Sequence, residues 1–311
     1  MISRIHSKRR RGMALLAVIW LVAILGIACM ATLRVVSFDT KVASAKIHGF
    51  EAKQLAEMGV AVASNPAVKP SDPLLHHTDE EVGGSYDVKI ASEGGRFNIN
   101  AILLRDDKPL LRKMFSDWGL EMEEAQQVTD ALGDWIDSDD EVAMNGAERD
   151  WYEREGRINQ PFNHPFYSLD EMRLVRGMDR VEAVKPDWRN WFTIWSAGAL
   201  DVNEASAELI AAAAEVPVET ADQVVEKVRG SDGVRYTDDD VPFQNVNEAL
   251  SLLGVDTNGR PDIAQRFAAN DTTVRIESVG HAEGATRKIS LILRNRTGRP
   301  AILERTEEVI P

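Results

Sequence analysis

The sequence predicts an α+β fold: one long N-terminal helix packs on a small antiparallel sheet, and a large helical insertion breaks that sheet in two. Three observations carry this. A charge-free apolar run continues without a proline into an amphipathic stretch. Apolar–polar alternation appears near residue 90 and again beyond residue 272. The chain between is punctuated like a series of helices.

The helix comes first. No charged residue lies between Met13 and Leu33, and about 20 such residues cross a hydrocarbon layer. Before it stand Arg4, Lys8, Arg9, Arg10 and Arg11 with no acid, a bias that puts the N-terminus in the cytoplasm and the body outside. A cleaved secretory signal, a lipid attached at Cys29 and a twin-arginine signal at Arg9-Arg10 are the alternatives. Each has a poor motif: no crisp A-x-A site, Leu25-Gly26-Ile27-Ala28 before the cysteine, and ill-matched residues after the arginines. In residues 34–63, Val35, Val42, Leu55, Met58 and Val62 recur among polar neighbours up to Asn65-Pro66. One helix therefore leaves the membrane, turns amphipathic and stops at the proline. Met13 to Ala63 would span roughly 75 Å.

Composition restricts what the body can be. The formal charge of −14 combines +5 in residues 1–12 with −19 in the rest of the chain, so a polyphosphate partner would be repelled by the body. The single cysteine, Cys29, is inside the apolar run. No internal disulfide is possible, and stability must come from core, anchor or metal.

Tyr86–Ile90 alternates, turns at Glu93-Gly-Gly95 and resumes at Arg96–Ile99. Thr273–Val279 and Lys288–Leu293 form a second hairpin, with Pro300–Glu304 a last strand. Residues 34–100 and 269–311 then make one domain, and residues 101–268 are inserted into it. Within the insertion, Pro165–Glu171 and Pro242–Glu248 repeat a pattern. Ser168 with Glu171, and Asn245 with Glu248, form capping boxes, and Gly177 and Gly254 suit left-handed helix termination.

The densest acidic stretch runs from Asp134 to Asp150. Hard cations such as calcium take six to eight oxygens, which clustered carboxylates and loop carbonyls supply. On the twelve-residue calcium-loop template, Asp137, Asp139 and Glu141 take the first, third and fifth positions, Asn145 the ninth and Glu148 the twelfth. Val142 stands where the template wants glycine, so the loop is not a regular EF-hand. Asp150 joins the candidate ligands, with Asp134 and Asn163 further out; a solvated acidic loop is the competing reading. No H-E-x-x-H, G-x-S-x-G or phosphate-binding glycine loop occurs. His76-His77 fall in a linker, His164 precedes a proline, and nothing points to an enzyme. Trp188, Trp191, Phe192 and Trp195 are either core or a partner's anchor.

A basic leader ending at Gly12, an apolar helix from Met13 and an amphipathic continuation resemble the type IV pilin family. The resemblance implies cleavage between Gly12 and Met13 by a prepilin peptidase, N-methylation of the new terminus and a pilin-like fold. Family members normally carry Glu at the fifth mature position; this chain has Ala17. That carboxylate pairs with a neighbour's terminal amine in a fibre, since an unpaired buried charge is costly. A subunit without it need not stand beneath another.

Phe97–Ala101, Asp134–Asp139, Asn145–Glu148 and Pro165–Met178, in that order, resemble the protein K family of the type II (general) secretion pathway. The likeness implies an inserted all-α domain related to helix–hairpin–helix and SAM-like folds, with one or two calcium ions. It implies a minor pseudopilin at the tip of a periplasmic pseudopilus, working with minor pseudopilins I, J and H and the inner-membrane assembly platform. No nucleic acid is expected. The alternative is a membrane-anchored DNA receptor of the competence type, whose helix–hairpin–helix repeats bind phosphate. Its hairpin here would be Glu215–Val218, acidic and without glycine.

Overall fold

The computed structural model describes residues 6–79 and 83–310, with side chains described from Met13 onward. The leader's first five residues, Arg4 among them, lie outside the described residues. Helix α1 (His6–Ser64) is continuous through the Gly12–Met13 bond and across the whole apolar run. Pro66 ends it, as a residue without an N–H must.

The sheet is five-stranded and antiparallel throughout, in the order β1 (His76–Asp79), β2 (Gly84–Ser92), β7 (Thr273–Ala282), β8 (Ala285–Arg294), β9 (Ala301–Ile310). Its inner face presents Tyr86, Val88, Ile90, Ile276, Ile289, Leu291 and Leu293 to Ala52, Leu55, Ala56, Val60 and Ala63 of α1. Fully burying a side chain of the Leu or Ile class contributes about 1.5–3 kcal/mol, so this face holds the helix to the sheet.

The sheet corrects two expectations. The strand over Phe97–Asn98 (β3) is not the return arm of a hairpin from β2; it pairs in parallel with β4 (Phe192–Thr193). Its place beside β2 is taken by β7, which pairs with it from Gly84↔Ala282 to Ser92↔Val274. The chain is led away because Glu93 is wholly buried, held by Arg275 Nε at 2.6 Å and by Thr193. The fifth strand is instead β1, which includes His76-His77, so these histidines are in a strand and not a linker.

Between β2 and β7 the chain forms α2 (Ile99–Leu104), α3 (Lys108–Asp117), α4 (Met122–Ile136), α5 (Arg149–Arg154), α6 (Leu169–Met172), α7 (Met178–Val184), α8 (Ala207–Ala214), α9 (Val218–Val228), α10 (Val246–Leu252) and α11 (Pro261–Ala264). Two small parallel ladders are embedded among them, β3 with β4 and β5 (Leu200–Asp201) with β6 (Phe267–Ala268). The insertion is thus helical with short strand contacts, not purely α. It has its own hydrophobic core, separate from that of the body. Trp188 and Phe192 are fully buried in it, and Trp191 is half-buried edge-on to Trp118 at 5.0 Å, so these aromatics serve packing.

The helix punctuation holds in part. Ser168 and Asn245 cap α6 and α10, and Gly177 and Gly254 take φ of +86° and +71°. Glu171, however, does not turn back to its cap. Its carboxylate accepts from Trp135 Nε1 at 3.0 Å and from the Tyr167 N–H at 3.0 Å.

Candidate functional site

Two features of the molecule can carry function: the free length of α1 and an acidic pocket in the insertion. Every residue of α1 from Met13 to Ile47 is exposed, and the first buried one is Gly49. The helix is long and apolar enough to cross a membrane by length and composition. Of the apolar positions expected to face a domain, Leu55 is buried and Val62 half-buried, whereas Val35, Val42 and Met58 stay exposed along with Phe38, Ile47 and Phe50. The true packing stripe is Gly49, Ala52, Ala56, Gly59 and Ala63, small residues spaced three and four apart. A Cβ on Gly280 of β7 would overlap the Ala52 carbonyl. Small size, not apolar bulk, is the signal that marks this stripe.

The acidic pocket forms where α4 ends and α5 begins. Asp134 is in the last turn of α4, Asp137 is its C-cap residue, and Glu148 is the N-cap residue of α5. One carboxylate oxygen from each lies within 4.8 Å of the others. Asp134 accepts the Ala143 N–H at 3.3 and 3.2 Å with its two oxygens. Gly146 passes so close over this carboxylate that any Cβ there would collide with it, which explains the glycine in the Asn145–Glu148 run. Both Glu148 oxygens, one Asp137 oxygen and the Asn163 Oδ1 are buried without a hydrogen-bond partner.

Their protonation follows from that environment. Burial, reinforced by Asp134 and Asp139, pushes Asp137 up to about 6. Burial, then Asp134, Asp137 and Asp140, pushes Glu148 up to about 7. Asp134 is also raised, chiefly by burial, against its backbone hydrogen bonds from Ala143 and Ala147. Three crowded carboxylates, two of them with orphaned oxygens, suit a hard divalent cation, which would answer both the repulsion and the missing partners.

The other candidate ligands lie apart from this convergence. Asp139 Oδ1 accepts the Glu141 N–H at 2.9 Å, and the Glu141 side chain is exposed. Asn145 Nδ2 donates to Asp130 at 3.2 Å, and Asp150 is exposed on α5. The first and last positions of the loop template converge while its middle opens outward, with Val142 exposed where a glycine turn would have folded it in. Asn163 Nδ2 donates to the Asp139 carbonyl at 3.1 Å, tying its segment to the loop.

The expected hairpin at Glu215–Val218 exists between α8 and α9, with Glu215 at φ +58°. Its carboxylate is engaged by Arg266 at 3.0 Å and Arg260 at 3.2 Å. An acid occupies the place where a phosphate-binding hairpin needs free amides and cations.

Residues 95–186 match the family described as Type II secretion system (T2SS), protein K. The chain is 29% identical over 167 residues to the type II secretion system protein K of Pseudomonas aeruginosa, covering 50% of this chain and 48% of that one. It is 26% identical over 194 residues to the protein of the same name from Klebsiella pneumoniae, covering 56% and 60%. The matched region includes Asp134, Asp137 and Glu148, so the acidic pocket lies within the stretch that matches the protein K model. The alignments span about half the length of these relatives. In fold, 88% of the chain overlays 99% of a chain from the crystal structure of the GspK-GspI-GspJ complex of the enterotoxigenic Escherichia coli type 2 secretion system, with a TM-score of 0.61 at 15% identity.

Proposed function

We propose that this chain is a minor pseudopilin that acts at the tip of a type II secretion pseudopilus, helping to start and cap its assembly for export of folded proteins. The observation that carries the reading is the exposed α1 rod joined to a body that bears a large insertion. Exposed apolar residues along α1 offer a surface to partner helices, first in the membrane and then in the fibre. The insertion adds bulk that repeated packing along a fibre would have to accommodate, and an end position leaves it free. Ala17 in place of the pilin glutamate removes the need for a subunit above.

In this reading a prepilin peptidase cuts between Gly12 and Met13, and the new terminus is methylated. The N-terminus faces the cytoplasm, the body the periplasm, and α1 spans the inner membrane once beside the assembly platform. The partners are minor pseudopilins I and J, as in the complex to which the fold is similar, with H joining them. The protein acts by association, not catalysis. Calcium occupies the pocket of Asp134, Asp137 and Glu148, supplying fixed positive charge that lets all three stay ionised. Asn163 is placed to add a neutral oxygen.

Co-expression with minor pseudopilins I and J, followed by size-exclusion chromatography and mass measurement, tests the assignment. A stable complex containing one copy of each is expected. Elution of this chain apart from both partners would contradict it.

A further inference from the structure

The face of α1 just past the apolar span carries two cations that nothing described neutralises. Arg34 is the first charge after Leu33, and Lys41 follows two helical turns later, roughly 10 Å along the axis. Ser37 and Phe38 lie between them on the same side. Together with Leu33, these four line a shallow groove of about 310 Å³. All five residues are exposed, and among the described residues neither Arg34 nor Lys41 makes an ion pair or hydrogen bond. Asp39, the nearest acid, is about 140° around the helix from Arg34.

The spacing matches a membrane boundary. With Leu33 closing the hydrocarbon, the headgroup layer occupies about the next 5–7 Å. Arg34 then lies at its inner edge, and Lys41 reaches back from its outer edge along a flexible stem. A guanidinium fork can hold two oxygens of a phosphodiester at once, and an ammonium adds a third contact. The Ser37 hydroxyl can donate as well, while Phe38 offers an apolar surface to the start of an acyl chain.

We propose that this face binds the headgroup of an anionic phospholipid in the outward-facing leaflet, fixing the depth of the rod until it is withdrawn into a fibre. The proposal rests on the membrane-spanning reading of α1. Its occupant is a lipid and not free phosphate, because the groove combines cations with Leu33 and Phe38 at the end of an apolar span.

The test uses the full chain in bilayers of equal phosphatidylglycerol and phosphatidylcholine, with native mass spectrometry counting the lipids retained. Phosphatidylglycerol is expected to be enriched. Arg34→Gln should lower that enrichment about fivefold and the double substitution with Lys41→Gln about twenty-five-fold, at about fivefold per basic residue near an anionic surface. Lys46→Gln, on another side of the helix, should leave it unchanged. Equal retention of both lipids, enrichment that survives the double substitution, or displacement by inorganic phosphate would each overturn the lipid site. Protease protection of the same bilayers separates the two ideas. A chain that fails to span overturns both, whereas one that spans without enrichment overturns the lipid site alone.

Discussion

The body and the insertion are held together by opposite means. In the body, α1 approaches the sheet through Gly49, Ala52, Ala56, Gly59 and Ala63, and β7 answers with Gly280 and Ser278. In the insertion, the core is filled by Trp135, Tyr152, Phe115, Phe166, Trp188 and Phe192. In the first interface the helix is cut small where the sheet's Ile, Leu and Val side chains press on it; in the second, large aromatics fill the space from every side. The body therefore fixes the seat of a rod whose remaining length is exposed, and the insertion builds a rigid frame around its acidic pocket.

Removing volume should hurt the insertion most. Trp135→Ala empties the centre of the aromatic cluster and leaves the Glu171 carboxylate without its indole donor. A loss of about 3–5 kcal/mol is expected from such a truncation, read as a drop in the denaturation midpoint. A loss under about 1 kcal/mol would mean that the aromatic core is not what holds this region. Adding volume should hurt the body. Gly280→Val drives a side chain into the Ala52 carbonyl and to within 2.6 Å of the Ala56 nitrogen, at about 1–3 kcal/mol, as overpacking typically costs. Faster proteolysis within residues 49–64, with the insertion's core intact, would locate the damage.

The smallest effect sharpens the role of the pocket. Asp137 and Glu148 hold protons in the folded chain at pH values where an unfolded chain has released them. Without metal, stability should be fully present near the acid end and fall as pH rises through about 6 to 7. Calcium would replace those protons, so its stabilisation should grow across the same interval. Thermal melts with calcium and with chelator should nearly coincide at about pH 5 and separate by several degrees at about pH 7.5. In Glu148→Gln the dependence should flatten.

Much of this architecture was legible in the sequence. The rod declared itself by its missing charges, and β2, β7 and β8 by alternation; β9 was expected only over Pro300–Glu304 and runs on to Ile310. β1 did not declare itself, because His76-His77-Thr78-Asp79 has no apolar side to bury; it joins the sheet through its backbone ladder and through His76 on Asp87 and His77 against Tyr86. Residues 96–99 misled for the opposite reason: Phe97 alternates well but is claimed by the insertion's core, beyond the reach of local pattern. In the pocket, Asp137 and Glu148 could be found from spacing. The central role of Asp134 could not, since it depends on Gly146 crossing above it and on the depth of a helix end. The glycine in Asn145–Glu148 was the available clue.

The assembly role needs a rod that stays joined to its folded body once the leader is gone. Terminal sequencing and intact-mass measurement of the exported protein test this directly. The expected product is a chain that begins at Met13 with a methylated amine and retains α1 from that residue to Ser64. A mature chain that begins beyond Leu33 would contradict it, because the free helix proposed to join a fibre would no longer be there.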